Sequence, residues 1–305
     1  MQASKLTHHR RQLVPNGIQE LWTTVSRHRL RYLSGGSGPA VILVSGLLGF
    51  SFSWSENLPS LAERFTVYAP DLLNTGYSDR YDEPGNLRSS VAQIFEFMDA
   101  LEISSANFIG SSYGGTLIMA AAAIAPERVE RMVLVSPSHP ISEKRGRWQA
   151  ILFSSRIGAF VAKNILPFAP QFLFGFFLDR MYGDSSRILP GTIEEYTKAI
   201  KVPGTTTAAA QVMKSWRANF RELAALMPKL AETPTLLIWG DKDRIVPLRT
   251  AESLQQTLKN SLLQVIKTAG HIPYEELPEE FNRVVTDYLC SGSPRLPLAS
   301  DHPRL

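Results

Sequence analysis

Residues 107–125 leave a chain of this kind few ways to fold. The apolar run Asn107-Phe108-Ile109 stops at a cluster of small residues, Gly110-Ser111-Ser112-Tyr113-Gly114-Gly115. An alanine-rich segment with the pattern of a buried helix follows through Ala125. The reading is a strand, a tight turn and a helix. Such a turn can be made only if the residues two before and two after Ser112 lack bulky side chains, and both are glycine, Gly110 and Gly114. Ser112 then stands on a strained elbow with its hydroxyl exposed, at a helix N-terminus whose field favours negative charge developing beside it. A serine hydroxyl is a poor nucleophile at neutral pH, so chemistry at this position requires a base, an orienting acid and an oxyanion site from elsewhere in the chain.

The flanking sequence is a run of alternating strands and helices. Glu20 to Leu33 alternates apolar and polar residues, as in one or two strands at a sheet edge. The cluster Gly35-Gly36-Ser37-Gly38-Pro39 forces a turn, and Ala40 to Val44 is a continuous aliphatic run, the mark of a strand covered on both faces. Trp54 to Arg64 crosses over to a second such strand, Phe65 to Ala69. Leu87 to Leu101 has helical spacing, with Val91, Ile94, Phe95, Met98 and Leu101 on one face, and it leads into the elbow strand. Further strands are expected at Arg131–Val135, Pro234–Trp239 and Leu262–Ile266, and a further helix near Thr250–Lys259. This alternation predicts a doubly wound, mostly parallel α/β sheet with its sites at the carboxyl ends of the strands.

Between Ser136 and Glu232 the alternation stops. The segment is helical in pattern and carries Phe168, Phe172, Phe174, Phe176 and Phe177. We read an α/β core at 20–136 and 233–290, an inserted helical cap at 137–232, a flexible N-terminal segment at 1–19 and a flexible tail at 291–305. Most of the cap aromatics are expected to form the cap's own core, with Phe172 and Phe176, together with Trp54, lining an apolar substrate pocket. A membrane-surface role for Phe172 to Leu178 is the weaker reading, because a basic amphipathic pattern is lacking.

Composition narrows the function classes. A net charge of +4 over 305 residues, with Lys and Arg scattered, disfavours nucleic acid as a partner. The single cysteine, Cys290, excludes an internal disulfide framework and fits a reducing, cytoplasmic location. The N-terminal segment lacks the apolar core of a secretion signal, and no apolar run approaches the ~20 residues that span a bilayer as a helix. The expected partner is a small-molecule substrate with an apolar group; oligomeric state is open.

His271 is the candidate base. It follows the Leu262–Ile266 strand, whereas His8, His9 and His302 lie in the tails, His28 in an early edge strand and His139 at the start of the cap. Asp243 is the preferred acid, with Asp241 its nearest rival; Asp241, in the turn after Trp239-Gly240, suits a turn residue accepting backbone hydrogen bonds. In a parallel sheet the ends of the strands at Ile109, Trp239 and Ile266 share one rim, so Ser112, Asp243 and His271 converge. The order serine, acid, histidine matches one known fold pattern.

With these residues in place the chain resembles the α/β-hydrolase superfamily, in its cap-bearing serine-hydrolase branch. The likeness rests on Gly110-Ser111-Ser112-Tyr113-Gly114-Gly115, Trp239-Gly240-Asp241-Lys242-Asp243, Val246-Pro247 and Gly270-His271, with Pro70-Asp71 and Gly76-Tyr77-Ser78-Asp79 in support, over about Leu30 to Leu289. The resemblance implies that the backbone N–H groups of Leu47 and Tyr113 form an oxyanion hole, that Ser112, His271 and Asp243 act as a triad, and that neither metal nor organic cofactor is needed. One departure stands out: relatives commonly read His-Gly after the first long strand, where this chain has Ser45-Gly46. Serine at the elbow, in place of aspartate, argues against the epoxide-hydrolase and haloalkane-dehalogenase branches. Carboxylic-ester hydrolysis is the first functional expectation; carbon–carbon bond hydrolysis of a vinylogous diketone is the alternative, and a noncatalytic ligand receptor on the same fold is a third.

Overall fold

The computed structural model describes residues 10–82, 85–140 and 156–291. Its centre is one eight-stranded sheet in the order β1-β2-β4-β3-β5-β6-β7-β8. An antiparallel pair at one edge, β1 (Gln19–Val25) and β2 (His28–Gly35), leads to β3 (Ala40–Val44). The short helix α1 (Leu58–Ala62) carries the chain to β4 (Thr66–Pro70), which pairs antiparallel with β2 and parallel with β3. Then α2 (Leu87–Ala100) crosses back to β5 (Ala106–Ser111) on the other side of β3. From there α3 (Tyr113–Ile124) leads to β6 (Val129–Val135), which pairs parallel with β5. The reversal of direction at β3 opens a crevice beyond the carboxyl ends of β3 and β5, where open α/β sheets place their ligands.

The described residues between β6 and β7 contain helices and no strand: α4 (Arg156–Asn164), α5 (Gln171–Met181), α6 (Thr192–Lys201) and α7 (Thr205–Leu226), with short 3₁₀ turns. The sheet then resumes with β7 (Thr235–Gly240), α8 (Arg249–Thr257) and β8 (Ser261–Ile266), and the chain closes with α9 (Pro273–Glu276) and α10 (Pro278–Cys290). Strands β5, β6, β7 and β8 are parallel neighbours, so their carboxyl ends lie on one rim.

The aliphatic runs in the sequence have a direct physical reading. In β3 the side chains alternate between two separate cores: Ile42 and Val44 pack with α2 and α3, while Val41 and Leu43 pack with α1 and α10. Both faces are covered, so no polar position is needed in the strand. In α3 all residues from Tyr113 to Ala123 are buried, and the run Ala120–Ala123 lets this helix lie close against the sheet. The edge strand β1 keeps the alternating pattern, with its side chains exposed or half-buried up to Val25. Among the described residues no helix is long and apolar enough to cross a membrane.

The N-terminal segment departs from the sequence expectation. Flexibility over residues 1–19 fails from Arg11 onward: Arg11 is 3% exposed and Ile18 joins the core against α1 and α10. Arg11 Nε donates to Ser55 Oγ at 2.7 Å, and its Nη2 donates to the carbonyls of Phe52 at 2.6 Å and Ser53 at 2.8 Å. Its Nη1 pairs with the buried Glu275 carboxylate. A basic residue in a polar leader gives no hint of this, since its partner lies 264 positions away. Residues 1–9 and the tail beyond Ser291 lie outside the described residues.

Candidate active site

Strand β5 ends in backbone strain. Ser112 sits at φ +51° and ψ −116°, a conformation costing a non-glycine residue ~1–3 kcal/mol. Packing holds it there. A Cβ on Gly114 would collide with the carbonyl oxygens of Val44 and Ser45, and one on Gly110 would collide with Ile118. The two glycines therefore let α3 start directly against β3. Ser112 N–H donates to Val135 O at 2.9 Å, and Ser112 O accepts from Ser138 N at 3.0 Å and Thr116 N at 3.3 Å, so the turn is tied to the end of β6 and to α3. Tyr113 opens the helix, where a backbone N–H has no intrahelical acceptor. Its side chain turns inward, stacks on Trp216 with ring centroids 5.4 Å apart, and its hydroxyl accepts from Asn219 Nδ2 at 3.3 Å.

The loop 45–49 lies across the elbow. Gly46 approaches Ser112 so closely that an added Cβ would stand 3.1 Å from Ser112 Cβ. Ser45 has a role of its own: its Oγ donates to Phe50 O at 2.9 Å, while Gly49 N–H donates to Gly46 O at 2.9 Å. Those bonds close the loop with Leu48 in the left-handed region at φ +65°. Replacement of the more common histidine thus leaves the loop braced, with the backbone of Gly46 beside the serine.

On the same rim His271 Nδ1 lies 2.9 Å from Asp243 Oδ2, and both side chains are buried. Asp243 Oδ1 accepts from the N–H groups of Ile245 at 2.8 Å and Val246 at 2.9 Å, which fixes the carboxylate. Trp239 Nε1–H donates to Val246 O at 2.8 Å and pins that loop to β7. Asp241 faces elsewhere. It accepts from Thr268 N–H at 2.6 Å and joins the loops after β7 and β8. Of the two aspartates, the structure brings Asp243 to the histidine.

Ser112 and His271 make no hydrogen bond to each other in this structure; Ser112 Oγ lies 3.3 Å from Ser138 Oγ. Ser138 escaped the sequence reading. The available signal was its place just past the end of β6, on the rim shared by the other candidates. His139, beside it, is fully buried with its ring edge toward Trp239, and burial lowers its pKa to about 4, so the imidazole is neutral at pH 7.

Two carboxylates after His271 were missed as well. His271 N–H donates to Met181 O at 2.6 Å. Glu276 accepts from the N–H groups of Gly270 at 2.8 Å, Gly183 at 2.9 Å and Asp184 at 3.0 Å, and it pairs with Arg187. Glu275 is held by Arg11, Tyr182 and Tyr196. Burial works against the Arg11 charge, but Glu275 together with Tyr196 and Tyr182 more than offsets it, and the guanidinium pKa stands above its ordinary value. Burial, reinforced by Glu275, likewise raises the Tyr182 and Tyr196 hydroxyls well above theirs. The histidine loop is thereby fastened to α5, α6 and the N-terminal segment.

A cleft partly open to solvent adjoins the elbow. Gly46, Leu47 and Tyr113 form one wall, Leu72, Leu73 and Gln93 another, and Ala208 and Val212 of α7 a third. The structure brings none of the three expected pocket residues to it. Trp54 is fully buried in the core, stacked on Tyr274 with centroids 4.2 Å apart. Phe172 and Phe176 face solvent at 71% and 64% exposure. Their helix turns its other side, Leu178, inward, and spacing along the sequence could not say which side that would be.

The profile of the alpha/beta hydrolase fold family matches residues 39–278. This chain belongs to the α/β-hydrolase family. An uncharacterized protein of Mycobacterium tuberculosis is 26% identical over 93% of this hydrolase and 84% of its own length. A 2-hydroxymuconate semialdehyde hydrolase of Pseudomonas sp. strain CF600 is 29% identical over 84% of this chain and 85% of that one. The solved structure of a meta-cleavage product hydrolase from Pseudomonas fluorescens IP01 superposes with a TM-score of 0.71, at 26% identity over 88% of this chain and 97% of that one. The α/β-hydrolase fold and the eight-stranded, mostly parallel sheet agree with the sequence expectation.

Proposed function

We propose that this α/β-hydrolase is a serine hydrolase that cleaves a small, neutral carboxylic ester through an acyl-enzyme on Ser112. The observation that carries the reading is a strained serine on the same rim as a buried His271–Asp243 hydrogen bond. On substrate binding, Ser112 Oγ turns from Ser138 towards His271 Nε2; such bonds commonly tighten only in the substrate complex. Oγ then adds to the ester carbonyl carbon as His271 takes its proton, and Asp243 holds the imidazole tautomer and stabilises the imidazolium. The backbone N–H groups of Leu47 and Tyr113 receive the developing oxyanion. Cleavage of the ester C–O bond releases the alcohol, which takes the proton from His271. Water, deprotonated by the same histidine, adds to the acyl carbon and releases the acid with Ser112 restored. The cycle is complete with protein side chains and water.

The cleft beside the elbow supports a neutral, apolar substrate group: Leu72, Leu73, Ala208 and Val212 supply apolar walls, and among the described residues none that lines it is Lys or Arg. We read 137–232 as the cap that closes it. A relative named 2-hydroxymuconate semialdehyde hydrolase and a solved meta-cleavage product hydrolase support a second reading, carbon–carbon cleavage by the same triad. An acidic dienoate calls for a cationic contact, which is why the ester stands first.

A fluorophosphonate probe is expected to label the folded protein at Ser112, and Ser112→Ala is expected to abolish labelling and turnover with the melting temperature nearly unchanged. Labelling that persists in the folded Ser112→Ala protein would sink the mechanism. Hydrolysis of a p-nitrophenyl ester, with none of a ring-fission dienoate, is expected; the reverse pattern replaces the first reading with the second.

A further inference from the structure

Ten large hydrophobic residues are exposed among the described residues, and seven of them fall between Phe160 and Phe177: Phe160, Ile165, Phe168, Phe172, Leu173, Phe176 and Phe177. The other three, Trp22, Ile124 and Ile245, are scattered. Such a concentration is unusual for a soluble surface, where apolar side chains normally stand singly. On α5 the exposed residues Phe172, Leu173, Phe176, Phe177 and Arg180 share one helical face, while Leu178 on the opposite side is buried. From Ile157 to Leu178 the sequence has a single charged residue, Lys163, and it is exposed. Arg180 closes the face at its far end, and Asp179 lies half-buried at its margin. The exposed charges among these apolar residues are therefore both cationic, on long side chains that can lay their stems along apolar surface.

We propose that the exposed apolar face of α5, with the exposed apolar side chains of α4 and of the turn between them, docks on an anionic lipid surface, with the phenylalanines entering the boundary between headgroups and acyl chains and Lys163 and Arg180 meeting lipid phosphates. Charge complementarity selects this occupant. A second copy would offer these exposed cations no exposed anion on the same stretch, since Asp179 is half-buried at its margin. Anionic headgroups neutralise both cations while the acyl region takes the five aromatic rings, the combination by which amphipathic helices lie in an interface without spanning it. The basic amphipathic pattern is inconspicuous in the sequence because its two cations, Lys163 and Arg180, stand on different helices. Docking here would set the end of α5, whose Met181 carbonyl holds the His271 backbone, just above the lipid. The inference is independent of whether the bond cleaved is an ester.

Vesicle sedimentation of the full chain tests it, with phosphatidylcholine alone and with equal parts phosphatidylcholine and phosphatidylglycerol. The protein is expected to pellet with the mixed vesicles, more weakly at high salt. Phe172→Ser with Phe176→Ser should lower the partition coefficient by about tenfold per side chain removed. Lys163→Glu with Arg180→Glu should weaken binding to mixed vesicles and leave binding to phosphatidylcholine alone unchanged. All four positions are exposed, so melting temperatures should stay at the wild-type value and confirm folding. Failure to pellet with either vesicle overturns the proposal. So does light scattering that shows a dimer which the Phe172→Ser/Phe176→Ser protein loses while neither protein binds vesicles.

Discussion

Whether an aspartate holds a catalytic histidine is decided by where its second oxygen points. Asp243 has one oxygen on two backbone N–H groups and the other on His271, whereas Asp241 gives its oxygen to Thr268 N–H. Asp243→Asn should lower turnover on the order of 10⁴-fold by favouring the wrong imidazole tautomer. Asp241→Asn should leave turnover within a few-fold, and steady-state rates of the two proteins on one substrate check the difference; equal losses would remove the assignment. At pH 7 His139 is a neutral group held by burial, and the sign of its effect on stability follows from that. Its folded pKa, about 4, lies below the ordinary 6.5, so the unfolded chain takes up its proton first. The contribution is complete above pH 6.5 and is lost as pH falls towards 4, by at most about 3 kcal/mol. His139→Phe should flatten the fall in melting temperature across that window, as thermal denaturation at several pH values would register.

Elements divide into those that announce themselves and those that depend on distant partners. The aliphatic runs of β3, β6 and β7 were legible because helices cover both sides of the sheet, and covered strands need no polar positions. The elbow was legible because one backbone conformation demands Gly110 and Gly114 together. Helices α4 and α5 were legible as helices, but which face α5 buries is set by Ile193 against Gly175 and by the inward turn of Leu178, contacts that helical period does not encode. This is why Phe172 and Phe176 were expected inside and stand outside. The clamp after His271 was hidden for a related reason. Glu276 looks like an ordinary acidic residue at the start of a helix, yet it accepts three backbone N–H groups, two of them from the chain after α5. Glu276→Gln keeps the shape but replaces one acceptor oxygen with a donor facing N–H groups, and a loss of about 2–3 kcal/mol is expected from urea denaturation. Activity should fall with it, since Gly270 directly precedes the histidine.

At the scale of the whole molecule, three stretches remote in sequence meet at Glu275: the N-terminal segment through Arg11, the helical insertion through Tyr182 and Tyr196, and the helix after His271. Arg11 also carries the carbonyls of Phe52 and Ser53 after the loop 45–49, so one guanidinium links the serine side of the rim to the histidine side. A buried ion pair of this kind is no guarantee of net stability, because desolvation consumes most of the attraction. Its removal by halves is another matter. Arg11→Met leaves the Glu275 carboxylate buried without its cation, and a loss of about 3–5 kcal/mol is expected. Adding Glu275→Gln to Arg11→Met removes the stranded charge while keeping an amide that can still meet the two tyrosine hydroxyls, and should recover a large part of that loss. Urea denaturation of the wild type, both single variants and the double variant measures the coupling directly. If the double variant is as unstable as the sum of the singles, the pair acts as two independent packing residues. Recovery in the double variant with turnover still depressed would separate the two tasks, since stability needs only a matched pair at the junction, whereas the approach of His271 to Ser112 needs the guanidinium that spans it.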